Sequence, residues 1–239
     1  TWLEEDRSVS FVAQNWLVDG ILIYNLIWHE NVPPKVAEVM KSDNPLVFIN
    51  KFLDRKKLYS VGVDNQQSVY IALEHLAKLG HKRIGVLKGG MTSVDGVERF
   101  LAFKEAMARL GLTYDERYTG TANFNDEQAY HEMKRILLND TLPTAMYCSN
   151  DLMAIGATRA IRERGLSVPN DISLAAFDDL EAGRYVETPL TTVRPPQEYV
   201  GFRAFELLME VLHKPKQPPQ QIKLPSELVV RSSTAKPAR

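Results

Sequence analysis

NDLMAIGATRAIRERGLSVPNDISLAAFDD, Asn150 to Asp179, is the stretch from which the fold can be read. It follows Ala145 to Ser149, a short apolar run of strand type, and the spacing of Met153, Ile155 and Ile161 then predicts a helix that starts at once. Gly165 closes that helix, Val168 and Pro169 turn the chain, and Ile172 to Phe177 reads as a second buried strand. Asn150 on one side, and Asp178 with Asp179 on the other, therefore stand where a strand hands over to the next element. Two strands deliver polar groups to one edge, and that edge is where an open parallel sheet takes its ligand.

Outward from this segment the same alternation continues. Strands are expected at Gly20 to Tyr24, Leu46 to Asn50, Val61 to Asp64 and Ile84 to Lys88, besides Ala145 to Ser149 and Ile172 to Phe177, with helices between most of them. Such alternation implies an α/β protein with parallel sheets and right-handed crossovers. Helical periodicity is clearest in Val69, Ala72, Leu73, Leu76 and Leu79, and again in Phe100, Phe103, Met107 and Leu110; Gly80 and Gly111 end those helices as left-handed residues. Lys214 to Gln221, with Pro215, Pro218 and Pro219, reads as a linker, and Ser232 to Arg239 as a frayed end. No repeat of fixed period is present.

Composition bounds the function. The 239 residues, 44% hydrophobic and 25% charged, suffice for one large core or two modest ones. The single cysteine, Cys148, excludes an intrachain disulfide framework and sits in an apolar strand, so packing is its expected role. A formal net charge of -1 argues against a nucleic-acid surface within these residues. The short basic clusters Arg55 to Lys57 and Lys82 to Arg83 read as solvated turns. With no signal peptide and no apolar run of membrane-spanning length, a cytoplasmic protein is expected, without membrane contact. No G-x-S-x-G, Walker or G-x-G-x-x-G pattern supports an enzyme, and Gly89 with Gly90 is too slight a signal for phosphate binding. His75 and His81 have no partner at metal spacing, so both read as structural, and neither metal nor cofactor is expected.

The phrases NDLMAIGATRAI, VPNDISLAAFDD and PLTTVRPP resemble the lactose-repressor/galactose-repressor (LacI/GalR) family of bacterial transcription regulators, in the effector-binding domain related to periplasmic sugar-binding proteins. The likeness continues through VDNQQSVYIALEHLAKLGHKRIGVLKGG and Arg99 to Leu112, and runs from Val18 to Ser232. It implies two parallel-sheet, Rossmann-like lobes of the type I periplasmic-binding-protein-like fold. Residues 1–80 with 193–215 would form an amino-terminal lobe, and 81–192 with 216–239 a carboxy-terminal lobe. Chain crossings are then expected near Leu79 to Lys82, Thr192 to Pro196 and Lys214 to Gln221. Only Thr1 to Leu17 precedes the VDGIL phrase, so the first lobe is expected to be truncated, with the DNA-binding helix-turn-helix upstream.

The resemblance also sorts the candidate ligand residues. Arg99 follows the glycine turn after Ile84 to Lys88; by spacing alone it is either a surface helix arginine or a guanidinium at the sheet edge, and the family likeness makes it the effector-binding arginine. Asp95, otherwise an N-cap or first-turn acid, lies where a carboxylate accepts from a hydroxyl pair. Phe124, in GTANFND, matches the family's stacking aromatic, its alternative role being a hydrophobic anchor for the loop before the Asp126 to Leu138 helix. Asn150 donates and accepts, while Asp178 only accepts, with a capping role before Leu180 to Arg184 as its alternative. Asp179 reads as the cap. Asp64, from the other lobe, reads either as a helix cap or as a ligand contact, two roles that can coexist. The set points to a small effector between the lobes, a mono- or disaccharide, in a homodimeric repressor whose operator affinity responds by linkage. An extracytoplasmic sugar-binding receptor of a transport system is the alternative.

Overall fold

The computed structural model describes residues 18–24, 37, 39–40, 44–52 and 58–238. Thr1 to Leu17 and the basic cluster Arg55 to Lys57 lie outside them. The chain divides into two units, the described residues up to 63 with 196–224, and residues 64–195 with the described residues from 225 onward.

The first unit carries β1 (Ile21–Ile23), β2 (Leu46–Ile49), β3 (Tyr59–Val63) and, far along the chain, β9 (Gln221–Leu224) in one sheet of order β1-β2-β3-β9. All three pairings are parallel, with Ser60 opposite Gln221. The helix of residues Gln197–His213, α6 below, buries Val200, Ala204, Leu207, Leu208 and Val211 and packs on β1, β2 and β3.

The second unit is built from α1 (Asn65–Leu79), β4 (Ile84–Lys88), α2 (Val94–Arg109), β5 (Thr119–Thr121), α3 (Asp126–Ile136), β6 (Ala145–Cys148), α4 (Asp151–Glu163), β7 (Ser173–Phe177), the short α5 (Glu181–Arg184), β8 (Thr191–Arg194) and, after α6 and β9, β10 (Glu227–Val229). Its sheet runs β10-β8-β7-β6-β4-β5, parallel except for β10. Every residue of β6 and β7 is buried, as apolar runs covered by helices on both faces require. From β4 the chain crosses to β5 on one side and returns to β6 on the other, so the carboxyl ends of β4 and β6 form a topological switch point. Gly156 allows α4 to approach the start of α3, since a methyl there would collide with the Asp126 backbone.

The helix boundaries follow the expected chemistry. Gly80 ends α1 at φ +102°, Gly111 follows α2 at φ +67° and Gly165 follows α4 at φ +78°, all left-handed. Cys148 is fully buried, and burial pushes its thiol pKa up, consistent with packing. The expected division of the chain shifts, however. Its first boundary falls after Val63, not at residue 80, because α1 packs on α2, β7, β8 and β10 of the second unit and buries Val69, Ala72, Leu73 and Leu76. The later boundaries fall at Pro195/Pro196 and Leu224/Pro225, the last because residues 221–224 pair with β3.

The carboxyl-terminal segment is also not frayed. Ser233 is fully buried; its Oγ accepts from the Thr191 amide at 2.7 Å and donates to the Leu174 carbonyl at 2.6 Å. His81 contacts the Ala235 carbonyl at 2.8 Å and His75 the Thr234 hydroxyl at 2.9 Å, so both histidines hold this segment, and burial lowers both pKa values. Ser233→Ala removes the hydroxyl from two buried backbone groups and is expected to cost about 1–3 kcal/mol. Urea denaturation followed by tryptophan-independent far-ultraviolet circular dichroism measures it; a midpoint equal to the parent's contradicts a structural role for this segment.

Candidate functional site

The site begins with a guanidinium under cover. Arg99 lies on the inward face of α2 and is 7% exposed. Its Nε donates to Asn65 Oδ1 at 3.1 Å, one Nη donates to the Ser149 carbonyl at 2.7 Å, and its centre stands 3.6 Å from the Phe177 ring centroid. A planar fork stacked on an aromatic face, with edges fixed by two acceptors, has its orientation set before any ligand arrives.

Asp178 stands beside it, with Oδ1 at 3.6 Å from the guanidinium. Burial pushes its carboxyl pKa up to about 6, Arg99 opposing the rise and Asp95 adding to it. The backbone here is strained: Asp178 has φ +107° and Asp179 φ +53°, while Asn123 and Phe124 sit at +47° and +61°. For a phenylalanine this is an uncommon conformation, and such residues persist where packing fixes them. Both strained pairs lie just past a strand of the second unit's sheet, β7 and β5. That is a signature of a functional edge rather than of a loose loop.

Phe124 lies 5.9 Å from the Arg99 guanidinium, and its ring covers Gly89, where a methyl group would collide with it. Asn150 caps α4 by accepting from the Met153 amide at 2.9 Å, and its Nδ2 donates to the Phe124 carbonyl at 3.2 Å. Asn150 thus fixes the strained loop that presents the ring. Gly89→Ala is expected to displace Phe124 and weaken effector binding by about tenfold, the loss of one ring contact of ~1–1.5 kcal/mol. Isothermal titration of the variant checks this, and parent-like affinity would argue against Phe124 as a ligand plate.

The sequence-predicted residues divide accordingly. Arg99, Asp178 and Phe124 come together directly, and Asp95 joins them through Asn65, whose Nδ2 donates to Asp95 Oδ1 at 3.1 Å and to Glu98 Oε2 at 2.8 Å. Asp64 belongs to the same unit as the others, not to the other lobe; its carboxylate accepts from the Gln67 amide at 3.0 Å and caps α1. Asp179 is not a cap, since α5 has no side-chain cap. Its carboxylate is almost fully buried and accepts from Arg184, Arg194 and Arg231 at 2.8, 2.5 and 2.5 Å, which holds its pKa low against the penalty of burial. Asn65, Ser149 and Phe177 were missed by sequence reasoning. The VDN phrase placed Asn65 one residue past a candidate, but nothing in spacing shows that α1 and α2 lie side by side.

Parallel strands with polar groups gathered at a switch point define a ligand-binding protein of the doubly wound type. Residues 73–234 match the periplasmic binding protein-like domain. The HTH-type transcriptional repressor PurR of Pasteurella multocida is 35% identical over 90% of this chain and 64% of its own length, and that of Klebsiella pneumoniae 32% over 98% and 68%. The chain spans between half and about two thirds of the length of the curated relatives it matches. Among solved structures, a LacI-family regulatory protein from Chloroflexus aggregans has a TM-score of 0.87 at 29% identity, covering 97% of this chain and 83% of that one. The transcriptional regulator CelR in complex with cellobiose has 0.83 at 27%, covering 94% and 68%. This chain belongs to the LacI/GalR family, as its effector-binding domain.

Proposed function

We propose that the chain is the effector-sensing region of a cytoplasmic LacI-type transcriptional repressor, and that a neutral mono- or disaccharide binds at the carboxyl edge of the second unit's sheet. One observation carries this: the preset Arg99 fork beside Asp178 and the Phe124 ring, which pairs donors, acceptors and an apolar plate as a sugar requires. The cellobiose bound to CelR supports the ligand class. Asp95, Arg99, Phe124 and Asp178 contact the effector, Asn150 holds the Phe124 loop, and Asp64 serves as helix cap. The chain acts as a homodimer matching two-fold operator half-sites, and it reaches DNA through a helix-turn-helix outside these residues. No helix among the described residues is long and apolar enough to cross a membrane. The relatives are named as repressors and not as enzymes or transport receptors, and regulation without turnover fits the site.

Effector binding changes operator affinity only by its differential affinity for the two states; moving a population from 1:99 to 99:1 takes about 5.5 kcal/mol. A thermal-shift screen against common mono- and disaccharides, with purine bases and amino acids as contrasts, tests the ligand class. A sugar at 100 times its dissociation constant stabilises by about 2.7 kcal/mol. A shift given only by purines or amino acids rejects the sugar assignment.

A further inference from the structure

Asn65 is 6% exposed and its carboxamide is spent on charged partners: Oδ1 accepts from Arg99 Nε, and Nδ2 donates to Asp95 and Glu98. These partners settle the orientation of the amide without further assumption, because the opposite flip would aim a carbonyl at two carboxylates and an N–H at a guanidinium. All three partners lie on α2, while Asn65 is the first residue of α1. The amide is wedged between a cation and two anions that would otherwise meet each other.

We infer that Asn65 is a positioning residue, which holds the Arg99 guanidinium apart from Asp95 and Glu98 so that the arginine stays on Phe177 and presents its remaining donors beside Asp178.

The chemistry at this position is restrictive. Aspartate keeps an acceptor for Arg99 but sets a third carboxylate against Asp95 and Glu98. Alanine offers neither group, and the Arg99 side chain then pairs with Asp95, four residues earlier on its own helix. Such pairing would quench the donor that the site uses. Asn65 caps nothing itself, since Asp64 is the N-cap of α1, so its burial and its bonds are spent on α2.

The inference rests on the effector-site reading above, and its test separates the two. In the full chain, the Arg99 Nε–H resonance is assigned by its loss in Arg99→Lys, and its exchange with water is measured without any ligand. Exchange is expected to be about tenfold faster in Asn65→Ala, the loss of one hydrogen bond to a charged group, and to stay near the parent rate in Asn65→Asp. Parent-like exchange in Asn65→Ala overturns the positioning role, as does fast exchange in a cooperatively folded Asn65→Asp. Cellobiose titration then addresses the site. Binding weakened by Arg99→Lys and by Asn65→Ala supports both readings. Binding weakened by Arg99→Lys alone retains the site and overturns the positioning role. If cellobiose binds the parent and neither change weakens it, the effector-site reading fails, and the exchange rates still decide what Asn65 does to Arg99.

Discussion

Arg99→Lys is expected to lower effector affinity by about 10²–10³-fold, which corresponds to losing two charge-assisted hydrogen bonds of about 1.5–3 kcal/mol each, only partly replaced. The lysine keeps the charge, so the loss reports geometry. In the parent the guanidinium lies flat on Phe177 and is fixed by Asn65 and Ser149, which leaves its outer edge beside Asp178. An ammonium on a flexible stem cannot lie flat and cannot present two parallel donors. The stability cost should be smaller than the binding cost, because the charge remains near Asp178. The measurement is the effector-induced rise in melting temperature, compared between parent and variant at matched concentration. An undiminished rise would remove Arg99 from the ligand contacts.

Asp178→Asn is expected to abolish the effector response while making the unliganded protein more stable at pH 8. The sign follows from the direction of the pKa shift. Burial raises the Asp178 carboxyl to about 6 and that of Asp151 to about 7, both above an unfolded carboxylate. Between about pH 4 and pH 7 the folded chain therefore holds protons that the unfolded chain has released, so stability is greatest below that window and falls as pH rises through it. Replacing Asp178 by an uncharged isostere removes its share of that fall, and asparagine tolerates the positive φ that the position imposes. At pH 8 the melting temperature should rise by ~2–4 °C, equivalent to about 1 kcal/mol in a chain of this size. At pH 4.5 the difference should nearly vanish. Asp151, bonded to the Leu180 amide and the Thr192 hydroxyl, keeps a residual slope in the variant. Melting curves from pH 4.5 to pH 8 decide the matter: a variant less stable than its parent at pH 8 would show that the ion pair outweighs desolvation.

The two results together describe a site that is costly to keep. Positive φ at Phe124 and Asp178, and a carboxylate held in a place that favours its neutral form, all oppose stability. The arginines gathered on Asp179 act in the opposite sense. Arg184, Arg194 and Arg231 come from α5, β8 and the segment after β10, and a nearly buried carboxylate ties them to the loop that carries Asp178. The neighbouring acids thus differ in setting, Asp178 partly exposed beside Arg99 and Asp179 pinned by three arginines.

By itself the sequence determined the alternating α/β plan, six of its strands and the glycine-closed helices. Those features are local: apolar runs of strand length, helical periodicity and left-handed glycines each act through near neighbours. It also determined the family, through several phrases in one order. The tertiary structure decided what depends on distant partners. Only Gln221 of β9 falls in the proline-bearing stretch that reads as a linker, and QIKL, alternating polar and apolar, becomes a strand only when β3 offers a parallel edge. The division after Val63 rests on the packing of α1, which its own periodicity cannot assign to either unit. The end of the chain becomes ordered because Ser233, Thr234 and Ala235 find partners 42 to 159 residues away, at Thr191, His75 and His81. Asn65 belongs to the same class: its neighbours in sequence give a helix start, and only the contact between α1 and α2 sets its amide between Arg99 and two acids.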